Sequence, residues 1–147
     1  MVQRTLRLVQ ENWKRHGIAL TVDVLATLPL VQARPQQLQQ VLLNLLINAK
    51  DALVQAGSAD RKVVLAAEFV RNGVQFCVKD NGPGIPAYLG QRIFEPFVTT
   101  KRARGGTGLG LSISKSIVEG YGGTIGVESA PDHGATFCVW LPQATGE

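Results

Sequence analysis

Leu38, Val41, Leu42, Leu45, Leu46, Ala49, Ala52, Leu53 and Ala56 recur at spacings of three and four, which predicts a long helix with one apolar stripe. Pro35 suits its first turn, and Gly57 its end. Ahead of it, Leu6, Val9 and Trp13 predict a helix over about Thr5–His16 that stops at Gly17. Ile18–Leu25 alternates as a strand, and a second short strand is expected over Leu30–Ala33. Lys62–Arg71 and Val74–Asp80 read as two strands around the turn signal Asn72-Gly73. A Gly- and Pro-rich stretch from Asn81 to Thr107 follows, with a short helix predicted near Tyr88–Ile93. Leu109–Tyr121 is helical, Gly122-Gly123 breaks it, and strands over Thr124–Glu128 and Ala135–Leu141 close the chain. Paired strands with helices segregated between them predict an α+β layer, not a parallel doubly wound sheet.

At 147 residues the chain suits one domain, and 45% apolar with 18% charged residues is globular composition. No apolar run approaches the ~18 residues of a membrane span, and a signal-peptide pattern is lacking, so a cytoplasmic location is expected. Cys77 and Cys138 lie in apolar strand-like runs and read as reduced core thiols rather than a disulfide. With His16 and His133 they never reach zinc-ligand spacing. The net charge of +4 could suggest nucleic acid, but the basic residues are scattered apart from Lys101-Arg102-Ala103-Arg104. Aromatic residues do not interleave with that patch, so nucleic acid is not the expected partner. A compact basic loop suits a small polyanion equally well. Of the 16 glycines, 12 fall between Gly82 and Gly134, which is where the chemistry is sought.

Three constellations carry candidate chemistry. On the long helix, Asn44, Asn48 and Asp51 share one flank of the apolar stripe. An amide oxygen facing a cleft can help hold Mg²⁺, which takes few protein ligands; taken alone, both asparagines could equally bond neighbouring backbone. Next, Asp80 shares a strand face with Val74, Phe76 and Val78, and a carboxylate continuing an apolar face must be paired. Gly82 and Gly84 after it let backbone approach a flat ligand, and an ionised, acceptor-only Asp80 suits an exocyclic amine; a turn aspartate capping its own loop is the plain alternative. Third, Gly105-Gly106-Thr107-Gly108-Leu109-Gly110-Leu111 runs into a helix, leaving N–H groups free for phosphate. Thr99, Thr100 and Lys101 add hydroxyls and charge just before it.

In this order and spacing the three patterns resemble the ATP-binding domain of bacterial sensor histidine kinases, of the GHKL superfamily. Gln39–Ala49 is similar to its N box, Asp80–Pro86 to the first glycine box, Phe94-Glu95-Pro96-Phe97 to the F box and Gly106–Leu111 to the second glycine box. Gly134-Ala135-Thr136-Phe137 with Leu141-Pro142 resembles the closing strand. The wording of Phe94–Lys101 resembles the nitrogen- and oxygen-sensing type. The resemblance implies a two-layer α/β sandwich, a mixed, mostly antiparallel sheet on about three helices.

It further implies ATP and Mg²⁺ as cofactors, with Asn48 the metal ligand and Asp80 the adenine-reading carboxylate. Asn44 would support the phosphates, Gly82, Gly84 and Ile85 would line the base, and Thr136 would assist Asp80 through water. Thr99, Thr100, Lys101, Gly106, Thr107, Gly108, Leu109, Gly110 and Leu111 would surround the phosphates, with Asn48 and Lys101 the catalytic candidates. Gyrase-like hydrolases carry a glutamate where Asn44 stands, so phosphoryl transfer is expected rather than rapid hydrolysis. Neither His16 nor His133 has the setting of an acceptor histidine. The expected organisation is therefore a helix over 1–17 leading from a dimerisation domain, a catalytic domain over 18–142 and a tail over 143–147. The γ-phosphate would pass to a histidine on that separate domain and then to a response regulator, with the fragment monomeric. A serine kinase of the anti-sigma-factor type and a nucleotide-free interaction module are the alternatives.

Overall fold

A computed structural model describes residues 2–24, 31–57, 59–85, 89–95, 110–129 and 134–144. Helix α1 (Val2–Lys14) leads through Gly17 into strand β1 (Ile18–Val24), and the long helix α2 (Pro35–Ala56) follows. Strands β2 (Arg61–Val70) and β3 (Gly73–Asp80) form a hairpin. Helix α3 (Gly110–Gly120) and strands β4 (Thr124–Ser129) and β5 (Ala135–Pro142) complete the order. A 3₁₀ turn at Gly90–Phe94 stands where the short helix near Tyr88–Ile93 was expected; Tyr88 lies outside the described residues.

The five strands make one mixed sheet in the order β1-β2-β3-β5-β4. β1 and β2 run parallel with α2 as their crossover, and the other three pairings are antiparallel. The apolar stripe of α2 buries Val41, Leu45, Leu46 and Leu53 completely. They join Val63, Leu65, Phe76, Val78, Phe137 and Val139, which stand at alternate positions of the central strands. Leu6 and Trp13 of α1 and Val118 of α3 enter the same core, so all three helices share it. The result is the expected two-layer α+β sandwich. Among the described residues no helix is long and apolar enough to cross a membrane.

Three expectations are corrected. Over Leu30–Ala33 the described residues show a single antiparallel bridge, Val31 to Gln143, instead of a strand. Pro35 opens α2 directly after Gln32, Ala33 and Arg34, and Leu30 lies outside the described residues, so the bridge does not grow into a ladder. The β2–β3 turn is centred on Arg71-Asn72, one residue earlier than the Asn72-Gly73 signal, with φ of 53° and 57°. Gly73 instead starts β3, where the Trp140 indole crosses it to donate its Nε1–H to the Val70 carbonyl at 2.9 Å. A Cβ on Gly73 would lie 2.6 Å from Trp140 Nε1 and collide with the Leu141 carbonyl oxygen. The glycine is needed for cross-strand packing, and Arg71 takes the left-handed turn position with its guanidinium 5.8 Å from the Trp140 ring.

The cysteines are the third correction. Cys77 and Cys138 are not free thiols but a disulfide, on the sheet face turned away from the helices. Antiparallel register sets them directly opposite, with Cα atoms 4.1 Å apart, a proximity that a separation of 61 residues conceals in the sequence.

Replacing Gly73 by alanine is expected to cost about 1–3 kcal/mol of stability, read as a lower urea midpoint, since the new Cβ must displace both the indole and the Leu141 carbonyl. An unchanged midpoint would contradict the packing role given to this glycine.

Candidate functional site

Asp80 ends the inward-facing row of β3 and is only 3% exposed. Its row neighbour on β2 is Val63, which is fully buried, so the carboxylate sits in apolar surroundings. A buried carboxylate needs donors. Oδ1 accepts the Gly82 N–H at 2.9 Å and the Ala135 N–H at 3.4 Å. Among the described residues both donors go to Oδ1, and Oδ2 receives none. Burial pushes the carboxyl above its ordinary value of 3.8, and the Gly82 and Ala135 N–H groups pull it back only in part.

The backbone is built tightly around this group. Gly134, at φ +79°, leaves no room for a side chain, because a Cβ there would collide with the Asp80 carbonyl oxygen. Asn81 fastens the loop to β2, accepting the Lys62 N–H at 2.8 Å and donating to the Asp60 carbonyl at 2.9 Å. Farther along, the Ile85 N–H donates to Ser129 Oγ at 2.7 Å, and that hydroxyl reaches the Gly134 carbonyl at 3.3 Å. Gly82, Gly84 and Ile85 are thereby held next to Asp80 at the ends of β3, β4 and β5. Leu53 of α2 closes the inner side: a Cβ on Gly82 would lie 3.4 Å from it.

Thr136 does not belong to this group. Register places it across from Lys79 and Glu128, on the sheet face opposite to that of Phe137 and Asp80. The neighbour that reaches Asp80 from β5 is the Ala135 N–H.

The second half of the site lies between α2 and α3. Asn44 Nδ2 donates to the Gly110 carbonyl at 3.2 Å and to Ser114 Oγ at 3.1 Å, while Ser114 donates to the same carbonyl at 2.9 Å. Nδ2 of Asn44 therefore points at the start of α3, between the Gly110 carbonyl and the Ser114 hydroxyl. Asn48 lies about one turn further along α2, half-buried, with no side-chain hydrogen bond among the described residues. Phe94 is a core anchor, its ring edge-on to Phe137 at 6.1 Å between centroids. Leu111 packs partly against the same core. Thr99, Thr100, Lys101, Gly106, Thr107, Gly108 and Leu109 lie outside the described residues, as do Pro96 and Phe97.

Ser114 and Ser129 were missed by sequence reasoning. Ser114 did leave a signal: it interrupts the apolar spacing between Leu111 and Val118 and is fully buried. Ser129 left none, because its partners lie on two other segments.

The family model described as histidine kinase-, DNA gyrase B-, and HSP90-like ATPase matches residues 33–145. The chain belongs to this ATPase family. The sensor histidine kinase ZraS of Escherichia coli (strain K12) is 42% identical over 142 residues, covering 97% of this chain and 29% of that protein. The chain therefore spans less than a third of this relative. Among solved structures, full-length ShkA in complex with AMPPNP superposes with a TM-score of 0.83 at 32% identity, over 99% of this chain and 30% of that one. The catalytic domain of the histidine kinase ThkA gives 0.81 at 31% identity, over 98% of this chain and 92% of that domain. ThkA in complex with the response regulator protein TrrA gives 0.75 at 29% identity, over 97% and 40%. This member of the ATPase family and the ThkA catalytic domain thus cover each other almost completely.

The raised Asp80 value sets a stability signature. The unfolded chain releases this proton near 3.8 and the folded chain only at higher pH, so between the two the folded state binds more protons and loses stability as pH rises. Asp80→Asn can keep both accepted N–H bonds and removes the buried charge. It is expected to be at least as stable as the unmodified chain in urea at pH 7. A large loss of stability would contradict this account of the carboxylate.

Proposed function

We propose that this chain binds Mg²⁺-ATP and donates the γ-phosphate to a histidine on a separate dimerisation domain, as the catalytic module of a two-component sensor histidine kinase. The observation that carries it is the buried, acceptor-only Asp80 with Oδ2 unused among the described residues, in a chain that coincides with a histidine kinase catalytic domain. Oδ2 would accept the exocyclic amine of adenine, while Gly82, Gly84 and Ile85 let the flat base approach the loop. Along α2, Asn44 to Leu53 spans roughly 14 Å at 1.5 Å per residue, so one helix flanks the ligand from its base towards its phosphates.

The residues present fit a magnesium ion. Asn48 offers one half-buried amide oxygen with no competing partner among the described residues, and Mg²⁺ keeps most of its waters. When bound, the ion would neutralise charge on the β- and γ-phosphates. The N–H groups that open α3, with Lys101, Thr99, Thr100 and Gly106–Leu109 before it, would hold the phosphates in line with the acceptor. Asn44 supports this arrangement through α3 and offers no carboxylate to activate water, so the isolated chain would hydrolyse ATP slowly. The expected setting is the cytosolic portion of a sensor kinase, with 1–17 continuing from the dimerisation domain and a response regulator receiving the phosphate.

Two outcomes are expected. Asp80→Asn should weaken AMPPNP binding by about 10–100-fold in calorimetry, the loss of a charge-assisted hydrogen bond. Incubation of the chain with γ-labelled ATP and a separately supplied sensor-kinase dimerisation domain should put acid-labile, alkali-stable label on that domain. Acid-stable label on serine, or rapid phosphate release by the chain alone, would overturn the histidine kinase reading.

A further inference from the structure

Ser114 stands inside α3 at a fully buried position, four residues after Gly110 and four before the buried Val118. A serine contributes less there than an apolar residue of similar size, since a buried hydroxyl costs free energy unless it is bonded. Its bond to the Gly110 carbonyl at 2.9 Å is local and adds little, because back-bonding of this kind slightly weakens a helix. What distinguishes the hydroxyl is that it also accepts Asn44 Nδ2 at 3.1 Å from the neighbouring helix.

The orientation of Asn44 follows from chemistry. The Gly110 carbonyl is acceptor-only, so the amide nitrogen must face it, at 3.2 Å, and Oδ1 must turn away. Asn44, Ser114 and Gly110 form a closed triangle that joins α2 to the first residue of α3. At the far end of α3, Tyr121 links to α2 by donating to Gln37 Oε1 and accepting the Arg34 N–H at 3.1 Å, while the triangle is a polar link at the opening turn. Hydrogen bonds set both distance and angle.

We propose that Asn44 and Ser114 are a pair of positioning residues that fix the opening turn of α3 against α2 and so set the phosphate half of the nucleotide site. This rests on the nucleotide reading given above. Asn48 lies one turn beyond Asn44 on α2, so the same link spaces the metal-ligand candidate from the N–H groups of α3. The base half, around Asp80, is held by Gly82, Ala135, Asn81 and Ser129 and does not depend on the triangle.

That division supplies the test. Threonine and valine have the same shape, so Ser114→Thr and Ser114→Val bear the same crowding and differ only in the hydroxyl. Binding of AMPPNP with Mg²⁺ and of adenosine alone is measured by calorimetry on both variants and on the unmodified chain. AMPPNP is expected to bind Ser114→Thr nearly as tightly as the unmodified chain and Ser114→Val about tenfold more weakly, with adenosine affinity the same throughout. Asn44→Ala, at a half-buried position, gives a second route to the same tenfold loss should valine prevent folding. Combining it with Ser114→Val should cost no more than either alone, because both break one link. Equal AMPPNP affinity in the threonine and valine variants, or a parallel loss of adenosine affinity, would overturn the positioning role alone. Failure of the unmodified chain to bind AMPPNP at all would overturn the nucleotide reading and this inference with it.

Discussion

A carboxylate buried at the end of the central strand is the constraint around which this domain is arranged. Asp80 faces inward between Val63 and Ala135, where an ionised group is tolerated only with donors directed at it. The protein supplies them from backbone, through Gly82 and Ala135, which carry no competing charge. Bringing the second donor into range presses β5 against β3 so closely that position 134 admits only glycine. Oδ1 is consumed in holding the group, while among the described residues nothing donates to Oδ2. A carboxylate of this kind lowers stability, which supports the recognition role proposed for it.

Helix α2 connects that carboxylate to the rest of the site. Its apolar stripe is buried against the sheet, which leaves it no freedom to slide, and Leu53 at one end lies against the Asp80 loop. The opposite flank carries Asn48 and, through Asn44, the start of α3. In the proposed nucleotide reading, one rigid element thereby spaces the base half of the site from the phosphate half. Sites mounted on regular elements hold their geometry better than sites on loops alone.

What the chain reveals before folding follows the range of the interactions. The stripe of α2, the alternation of β3 and the outward break at Gly57 are local patterns, and each is found where periodicity puts it. Asp80 was legible for the same reason. Features set by distant segments were not: Trp140 decides which residue turns the β2–β3 hairpin, and strand register decides that Cys77 meets Cys138. Thr136 is a different case. Counting outward from the buried Phe137 puts it on the other face, so the face was readable but the residue was carried over by resemblance alone. Asn44 was placed on one flank of the α2 stripe, yet its partners on α3 lie 66 and 70 residues away.

The central claim, that Asp80 reads the exocyclic amine of adenine, is tested most directly by changing that amine and nothing else. Competition between ATP and inosine triphosphate for the unmodified chain, in the presence of Mg²⁺, makes this comparison. The inosine base presents a carbonyl where adenine presents an amine, and an ionised carboxylate repels it. The account predicts that inosine triphosphate binds at least tenfold more weakly. Equal affinity for the two nucleotides would contradict it.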